Sequence, residues 1–407
     1  RRMIVYHPTQ FWKGKKIVLG VTGGIAAFKA ISLASYFTKA GARVKTCLTE
    51  NALSLVGKSS FEAVTRERAY VGLFEGGGEI LHIDLVRESD AVIVVPATAN
   101  ILGKAASGIG DDLLSTILLV DPSKVILAPA MNVTMWKNPV VQDNLEKVVS
   151  RGMKVIYPAS GSLACGEEGE GRLPELEELV EGIFYHLYPR TEFQGKKVLI
   201  SAGATREWLD PARFISNPAS GFMGGALASL ARACGGEVKM VVGNVSSRLP
   251  SGVEIERVET AQEMEIALKR EWGNSDILFM NAAVSDFRPL SFSPSKIKKE
   301  GKEELTLTLV KNPDILSELA KNKGNKIVVG FCAETDNPQE EARKKLQKKN
   351  ADIIVANLIA CGESGFETST NKAWIVDCQG GEKELPLLDK RDLAEEIVSY
   401  LFDHFRG

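Results

Sequence analysis

The sequence predicts an α/β protein built of two doubly wound, Rossmann-like domains, and three observations carry that reading. Short apolar strands alternate with helix-length segments along the chain, the pattern of a parallel sheet with helices on both faces. Two stretches open alike: GKKIVLGVTGGIAAFKA at 14–30 and GKKVLISAGATRE at 195–207 are each a lysine-led strand running into a glycine turn. At 407 residues the chain also exceeds one ordinary core. HLYPRTEFQ (186–194), polar and proline-bearing, reads as the linker. The expected domains are therefore 1–189 and 190–407.

In the first domain the strands fall at Ile17 to Val21, Val44 to Leu48, Ala91 to Val95, Val125 to Leu127 and Lys154 to Ile156. In the second they fall at Val198 to Ser201, Val238 to Val242, Ile277 to Met280, Ile327 to Phe331 and Ile353 to Ala356. Open sheets of this kind bind ligands beyond the carboxyl ends of their strands, so motifs at those ends are the candidates.

Composition removes several function classes. Apolar residues make up 44% and charged residues 25%, and the net charge is −2, which gives no general attraction to nucleic acid or to a membrane surface. The six cysteines (Cys47, Cys165, Cys234, Cys332, Cys361 and Cys378) are scattered without a C-x-x-C pair, so they read as reduced thiols of a cytoplasmic protein. No apolar run approaches the roughly 20 residues of a membrane span, and Arg1-Arg2-Met3 is not followed by a signal-peptide core.

TGGIAA (22–27) follows a strand and enters a helix, a turn whose backbone N–H groups suit a phosphate or a flavin edge and equally suit a plain strand-to-helix junction. PATAN (96–100) ends another strand, and DDLLST (111–116) places hydroxyls at a helix start, where each is compatible with a cap. APAMN (128–132) ends a further strand and is followed by VTMW, whose methionine and tryptophan fit either core packing or a ligand wall. His82 sits in LHIDL, a short alternating stretch, in a structural or a catalytic role. SGSLACGEEGEGR (160–172) holds Cys165 among four glycines, with hardly a side chain able to join a core.

No Walker A pattern occurs in the chain: GKSS (57–60) lacks the upstream glycine at the right spacing. RFISNPASGFMGGALA (213–228) feeds a glycine-rich helix start suited to phosphates or to close helix packing. NAAVSDFRP (281–289) ends a strand with small residues, and Asp286 follows as a metal or ribose contact. KIKK (296–299) reads alone as a solvated charge run, KNPD (311–314) as a helix-start turn, and GFCAET (330–335) as a strand end. Lys345 and Lys349 lie one helical turn apart, on one face.

Together TGGIAAFK, HIDL, PATAN, PAMN and SGSLACGEEGEGR resemble the flavin-dependent phosphopantothenoylcysteine decarboxylases, and GATREWLDPARFISN resembles phosphopantothenate–cysteine ligase. The resemblance spans nearly the whole chain in the order of the fused, bifunctional family. It implies a flavodoxin-like decarboxylase domain followed by a ligase domain. By position it implies an FMN site on Gly23, Gly24, Ile25, Ala26, Thr49, Thr98 and Ser115, with His82 catalytic, Asn132 on the substrate carboxylate and Cys165 as proton donor. It implies a nucleotide site on Met280, Asn281, Ala282, Asp286, Lys296, Lys311, Asn312, Pro313, Asp314, Phe331, Lys345 and Lys349, with Asn217 and Lys296 around an acyl-nucleotide intermediate. The implied cofactors are FMN and Mg2+, with CTP or ATP as cosubstrate and no metal ligands assignable. The implied partners are 4'-phosphopantothenate, cysteine and further copies of the chain, as flavin-site trimers and ligase dimers.

The chemistry accounts for these types. Loss of CO2 from a simple alkyl carboxylate needs an electron sink that side chains do not provide, and an enethiol product needs a hydride from reduced flavin and a proton from an acid such as a neutral thiol. Amide formation at neutral pH needs an activated acid, and lysines offset the phosphate charge as it shifts. A non-catalytic flavin-binding regulator would not need both His82 and Cys165. A nicotinamide oxidoreductase would need a G-x-G-x-x-G turn that neither half has.

Overall fold

The computed structural model describes residues 3–76, 80–162, 168–298, 304–358 and 370–405. They divide into two units, Gln10–Leu187 and residues 1–9 with 188–407.

In the first unit, β-branched runs form β1 (Lys16–Val21), β2 (Arg43–Leu48), β3 (Ala69–Tyr70), β4 (Ala91–Ala97), β5 (Val125–Pro129) and β6 (Lys154–Val155). All pair in parallel, in the order β3-β2-β1-β4-β5-β6. With the two-residue edge strand β3 set aside, this is the flavodoxin-like order, and the chain reverses direction between β1 and β4. Every residue of β4 is buried, as a parallel strand covered on both faces requires. Val92, Val94, Leu102, Leu114, Leu127 and Leu145 belong to one continuous core on one side of the sheet. The helix Ala27–Lys39 buries Ala27, Ala30, Leu33, Ala34 and Phe37, a stripe at helical spacing. Beyond β6, β7 (Ala159–Ser162) and β8 (Glu168–Arg172) pair antiparallel.

One local expectation changes. LHIDL reads from sequence as an alternating stretch, yet Leu81–Arg87 is helical, with Leu81, Leu85 and Val86 buried. Five residues cannot separate a period of two from one of 3.6 when the apolar positions are i, i+2 and i+4.

The second unit contains β9 (Lys197–Ala202), β10 (Arg206–Asp210), β11 (Arg213–Ser216), β12 (Glu237–Val242), β13 (Glu254–Arg257), β14 (Ile277–Met280), β15 (Phe287–Pro289), β16 (Leu309–Lys311), β17 (Ile327–Glu334), β18 (Ile353–Leu358), β19 (Thr370–Asp377) and β20 (Glu382–Asp389). Its main sheet runs β13-β12-β9-β14-β17-β18-β19-β20. The first six are parallel in the doubly wound 3-2-1-4-5-6 order. The last two return antiparallel, an extension that the alternation of strands and helices does not predict. β10 with β11 and β15 with β16 form two small antiparallel pairs.

The first nine residues belong to this second unit, although the linker alone suggests a simple cut near residue 189. Tyr6 is buried with its ring 5.0 Å from that of Phe222. Thr9 donates through its N–H and its hydroxyl to the Asp392 carboxylate, at 2.7 and 2.6 Å.

Candidate functional sites

In the first unit the site starts from Gly23. A Cβ there would lie 2.5 Å from Asn51 Cβ, so the approach of the Glu50–Leu53 helix admits only glycine. A Cβ on Gly24 would lie 3.2 Å from Pro96 Cγ. The turn delivers the chain to the helix Ala27–Lys39, whose N-cap Ala26 offers no side-chain hydrogen bond. First-turn N–H groups there suit an anion. Thr22 Oγ1 donates to the Pro96 carbonyl at 2.5 Å and accepts from the Thr98 N–H at 3.2 Å, joining the ends of β1 and β4.

A cavity of about 670 Å³ opens at this edge, lined by Gly23, Gly24, Ile25, Ala26, Thr98 and Asn132 among the sequence-predicted residues. Phe28, Met131 and Met135 supply an apolar wall, and Lys29 and Arg172 supply charge. Asn132 Oδ1 accepts from the Thr134 N–H at 2.7 Å and so caps the helix Val133–Trp136. The Met131 N–H donates to the Gly171 carbonyl at 2.9 Å, which holds the end of β8 on the cavity rim.

Three predicted residues do not line this cavity. Thr49 caps Glu50–Leu53, its hydroxyl accepting from the Ala52 N–H at 3.3 Å. Ser115 is buried in a capping box, donating to Asp112 Oδ1 at 2.7 Å. His82 is half-buried on the helix Leu81–Arg87. Cys165 lies outside the described residues, whereas Gly171, Arg172 and Leu173 downstream of it line the cavity. A flavin mononucleotide needs an anion seat and an apolar slot, and the uncapped helix start beside Ile25, Phe28, Met131 and Met135 fits both.

In the second unit a cavity of about 200 Å³ gathers the predicted Asn217, Asn281, Ala282 and Phe331. Gly203 and Gly221 also line it, both in the left-handed region (φ +76° and +79°). Gly221 opens the helix Phe222–Ala233, and the Ser220 hydroxyl accepts from the Phe222 N–H at 3.2 Å. Ser201 fixes the end of β14, accepting from the Ala282 N–H at 3.1 Å and donating to Met280 Sδ at 3.2 Å. Met280 itself is buried.

The other predicted nucleotide residues lie beyond that lining. Asp286, Lys296 and Lys311 are exposed. The Ile297 N–H, next to Lys296, donates to Asp210 Oδ2 at 3.0 Å. Asn312 is buried, donating to the Ser285 carbonyl at 2.8 Å and accepting from Arg288 at 3.1 Å. After Pro313, Asp314 caps Ile315–Ala320 and pairs with Lys349. Lys345 pairs with Glu334 at 2.8 Å.

Sequence reasoning missed Asn357, Asn371 and Lys390, which line the same cavity. Asn357 follows the apolar run DIIVA, so its place at a strand end was the one available signal. Burial pushes the Lys390 ammonium down to about 8 and the Cys332 thiol, also at the cavity, up to about 11. Among the described residues no group of three His, Cys, Asp or Glu side chains could hold a metal ion. No helix among them is long and apolar enough to cross a membrane.

Two open α/β units, each with a cavity at the carboxyl edge of its strands, define a two-domain α/β protein with one candidate ligand site in each domain. Residues 6–187 match the Flavoprotein family, and residues 193–404 match the DNA/pantothenate metabolism flavoprotein C-terminal domain. The coenzyme A biosynthesis bifunctional protein CoaBC of Bacillus subtilis (strain 168) is 41% identical over 389 residues, covering 94% of this chain and 96% of the relative. The protein of that name from Escherichia coli (strain K12) is 40% identical over 397 residues, covering 96% and 98%. A solved structure of the C-terminal domain of a CoaBC protein is 37% identical, covers 52% of this chain and 96% of that one, and superposes with a TM-score of 0.45. The chain belongs to the family of coenzyme A biosynthesis bifunctional proteins.

Proposed function

We propose that the chain performs two consecutive steps of coenzyme A synthesis. The second unit ligates cysteine to 4'-phosphopantothenate through an acyl-nucleoside monophosphate, with CTP as cosubstrate and ATP the alternative. The first unit then decarboxylates the product to 4'-phosphopantetheine with FMN. The observation that carries the reading is the presence of two separate cavities in a chain aligned end to end with bifunctional relatives.

In the first unit the N–H groups of Gly23, Ile25 and Ala26 receive the FMN phosphate, and Ile25, Phe28 and Met131 exclude water from the ring. FMN, when bound, supplies the electron sink that decarboxylation needs. Asn132 orients the substrate carboxylate, His82 moves a proton at the substrate, and Cys165 returns a proton to the enethiol carbon. His82 lies off the cavity lining, and a trimer in which a neighbouring copy brings its own His82 to the site accommodates that placement.

In the second unit the helix start at Gly221 receives phosphates and Asn217 orients the acyl group. Lys296 follows the charge as pyrophosphate leaves. Mg2+ enters with the nucleotide, since that ion is held largely by phosphate oxygens and water. Lys345 and Lys349 serve the nucleotide by exchanging their carboxylate partners Glu334 and Asp314 for its phosphates, and the ligase units pair as dimers. The setting is cytoplasmic.

The test has two parts. Purified protein should show a bound-flavin visible spectrum. With 4'-phosphopantothenate, cysteine and CTP or ATP it should form pyrophosphate and the nucleoside monophosphate. A colourless protein would sink the first half of the reading, and absence of pyrophosphate would sink the second.

A further inference from the structure

The second cavity contains polar groups that neither the FMN nor the nucleotide reading uses. Asn371 is only 4% exposed, and its Oδ1 is buried with no hydrogen-bond partner. It occupies the core-facing register of β19 together with Ala373 and Ile375, where an unmet amide costs stability. Asn357 Oδ1, from the end of β18, is likewise buried and partnerless. Lys390, 3% exposed, lines the same cavity from the first turn of the helix Lys390–His404.

Strand order separates the two asparagines from the phosphate seat. The glycine-rich start of Phe222–Ala233 lies with the ends of β9 and β14, whereas Asn357 and Asn371 belong to β18 and β19. From β14 to β18 is two strand spacings, about 10 Å. The chemistry also differs. The two partnerless amide oxygens call for N–H donors, which a phosphate does not offer.

We propose that Asn357, Asn371 and Lys390 seat the amino-acid nucleophile of the ligase step, its ammonium on the two amide oxygens and its α-carboxylate on the lysine. This rests on the ligase reading above. An ammonium satisfies both orphan acceptors at once, and it brings its nitrogen to the cavity that Asn217 and Asn281 share. The reaction balances with groups already named. The ammonium releases a proton to solvent, the nitrogen–acyl carbon bond forms, the acyl carbon–phosphate oxygen bond breaks, the nucleoside monophosphate leaves, and the second proton goes to solvent.

The test compares cysteine with cysteamine, which keeps the amine and thiol but lacks the carboxylate. Wild-type enzyme should use cysteine with a KM about tenfold or more below that for cysteamine, the discrimination expected of one charge-assisted contact. Lys390→Gln should raise the KM for cysteine about tenfold and leave that for cysteamine unmoved, erasing the preference, while Lys390→Arg restores part of it. Asn371→Leu should raise both, because both nucleophiles carry the amine. Equal KM values in the wild type would overturn the proposal without needing any variant to fold. A Lys390→Gln effect confined to the nucleotide KM would overturn it in favour of a phosphate contact. If wild-type enzyme forms no pyrophosphate from 4'-phosphopantothenate and nucleotide, the ligase reading has failed, a result distinct from either.

Discussion

Thr22 and Pro96 are joined by a single buried hydrogen bond, Oγ1 to carbonyl at 2.5 Å, and the same hydroxyl accepts from the Thr98 N–H. One side chain thus sets the separation of the two strand ends between which the first cavity opens. Thr22→Val keeps the shape and removes the hydroxyl, leaving the Pro96 carbonyl and the Thr98 N–H unmet at about 1–3 kcal/mol each. We expect a lower melting temperature for the first unit and FMN affinity weakened about tenfold or more, measured by flavin fluorescence titration. Thr22→Ser should behave as the wild type. An unchanged affinity in the valine variant would remove this hydrogen bond from the account.

Gly23→Ala tests the cradle directly. The added methyl would meet Asn51 Cβ at 2.5 Å and its carbonyl carbon at 3.0 Å, so either the turn or the Glu50–Leu53 helix must shift. The purified variant should lack the flavin absorbance yet still release pyrophosphate in the ligase assay. Retention of yellow colour would show that the turn tolerates a side chain and that the anion seat lies elsewhere.

Apart from β3, two residues long, and β13, which reads EIER and is mostly exposed, the parallel strands were legible because they are apolar runs buried on both faces, a pattern with little ambiguity. β19 and β20 were not, because β20 reads EKELPLLD and exposes most of its side chains at the sheet edge. That omission hid Asn371 and Lys390 as site residues. They reach the second cavity only because the chain returns antiparallel after β18. Gly23, Gly24 and Thr98 were legible for the opposite reason: they follow strand ends within a few residues, where topology leaves them little choice of position. Ser115 is read from the sequence as a hydroxyl at a helix start and Thr49 follows a strand end, and here each spends its oxygen on a helix cap.

Cys165→Ser should keep the flavin and still release CO2, but its product should remain the oxidised enethiol because no acid returns the proton. Mass spectrometry of the product, 2 Da lighter than the aminothiol, reads this directly. Full conversion to 4'-phosphopantetheine would refute the proton-donor role.

Asp210 ties down the segment that carries Lys296. Its buried carboxylate accepts from the Ala212 N–H at 2.7 Å, the Ile297 N–H at 3.0 Å and Arg213 at 2.7 Å. Burial alone would raise its pKa; those N–H donors and the guanidinium outweigh it and hold the carboxyl below its ordinary value. Asp210→Ala should lower the ligation kcat about tenfold through loss of position at Lys296, with decarboxylation retained. Lys296→Gln should cripple ligation more severely, also sparing decarboxylation. If either substitution depressed both activities together, the assignment of two separate sites would need revision.

His7 gives the second unit a sensitivity to acid. The ring is 3% exposed, with Nδ1 2.8 Å from the Pro8 carbonyl, and burial pushes its pKa from 6.5 down to about 4. Between those values the unfolded chain binds a proton that the folded one excludes, so acid favours unfolding. The stability linked to His7 is therefore fully present above pH 6.5 and is lost as pH falls from 6.5 toward 4. Across the whole window the loss is about 3 kcal/mol, and at pH 5 it is about 2 kcal/mol. His7→Asn keeps a donor for the Pro8 carbonyl and does not titrate. Denaturant unfolding of the wild type and variant at pH 7.5 and pH 5 should show the wild type losing about 2 kcal/mol more than the variant over that interval. Equal losses would mean that another group carries the acid sensitivity, and a larger loss in the variant would reverse the sign argued here.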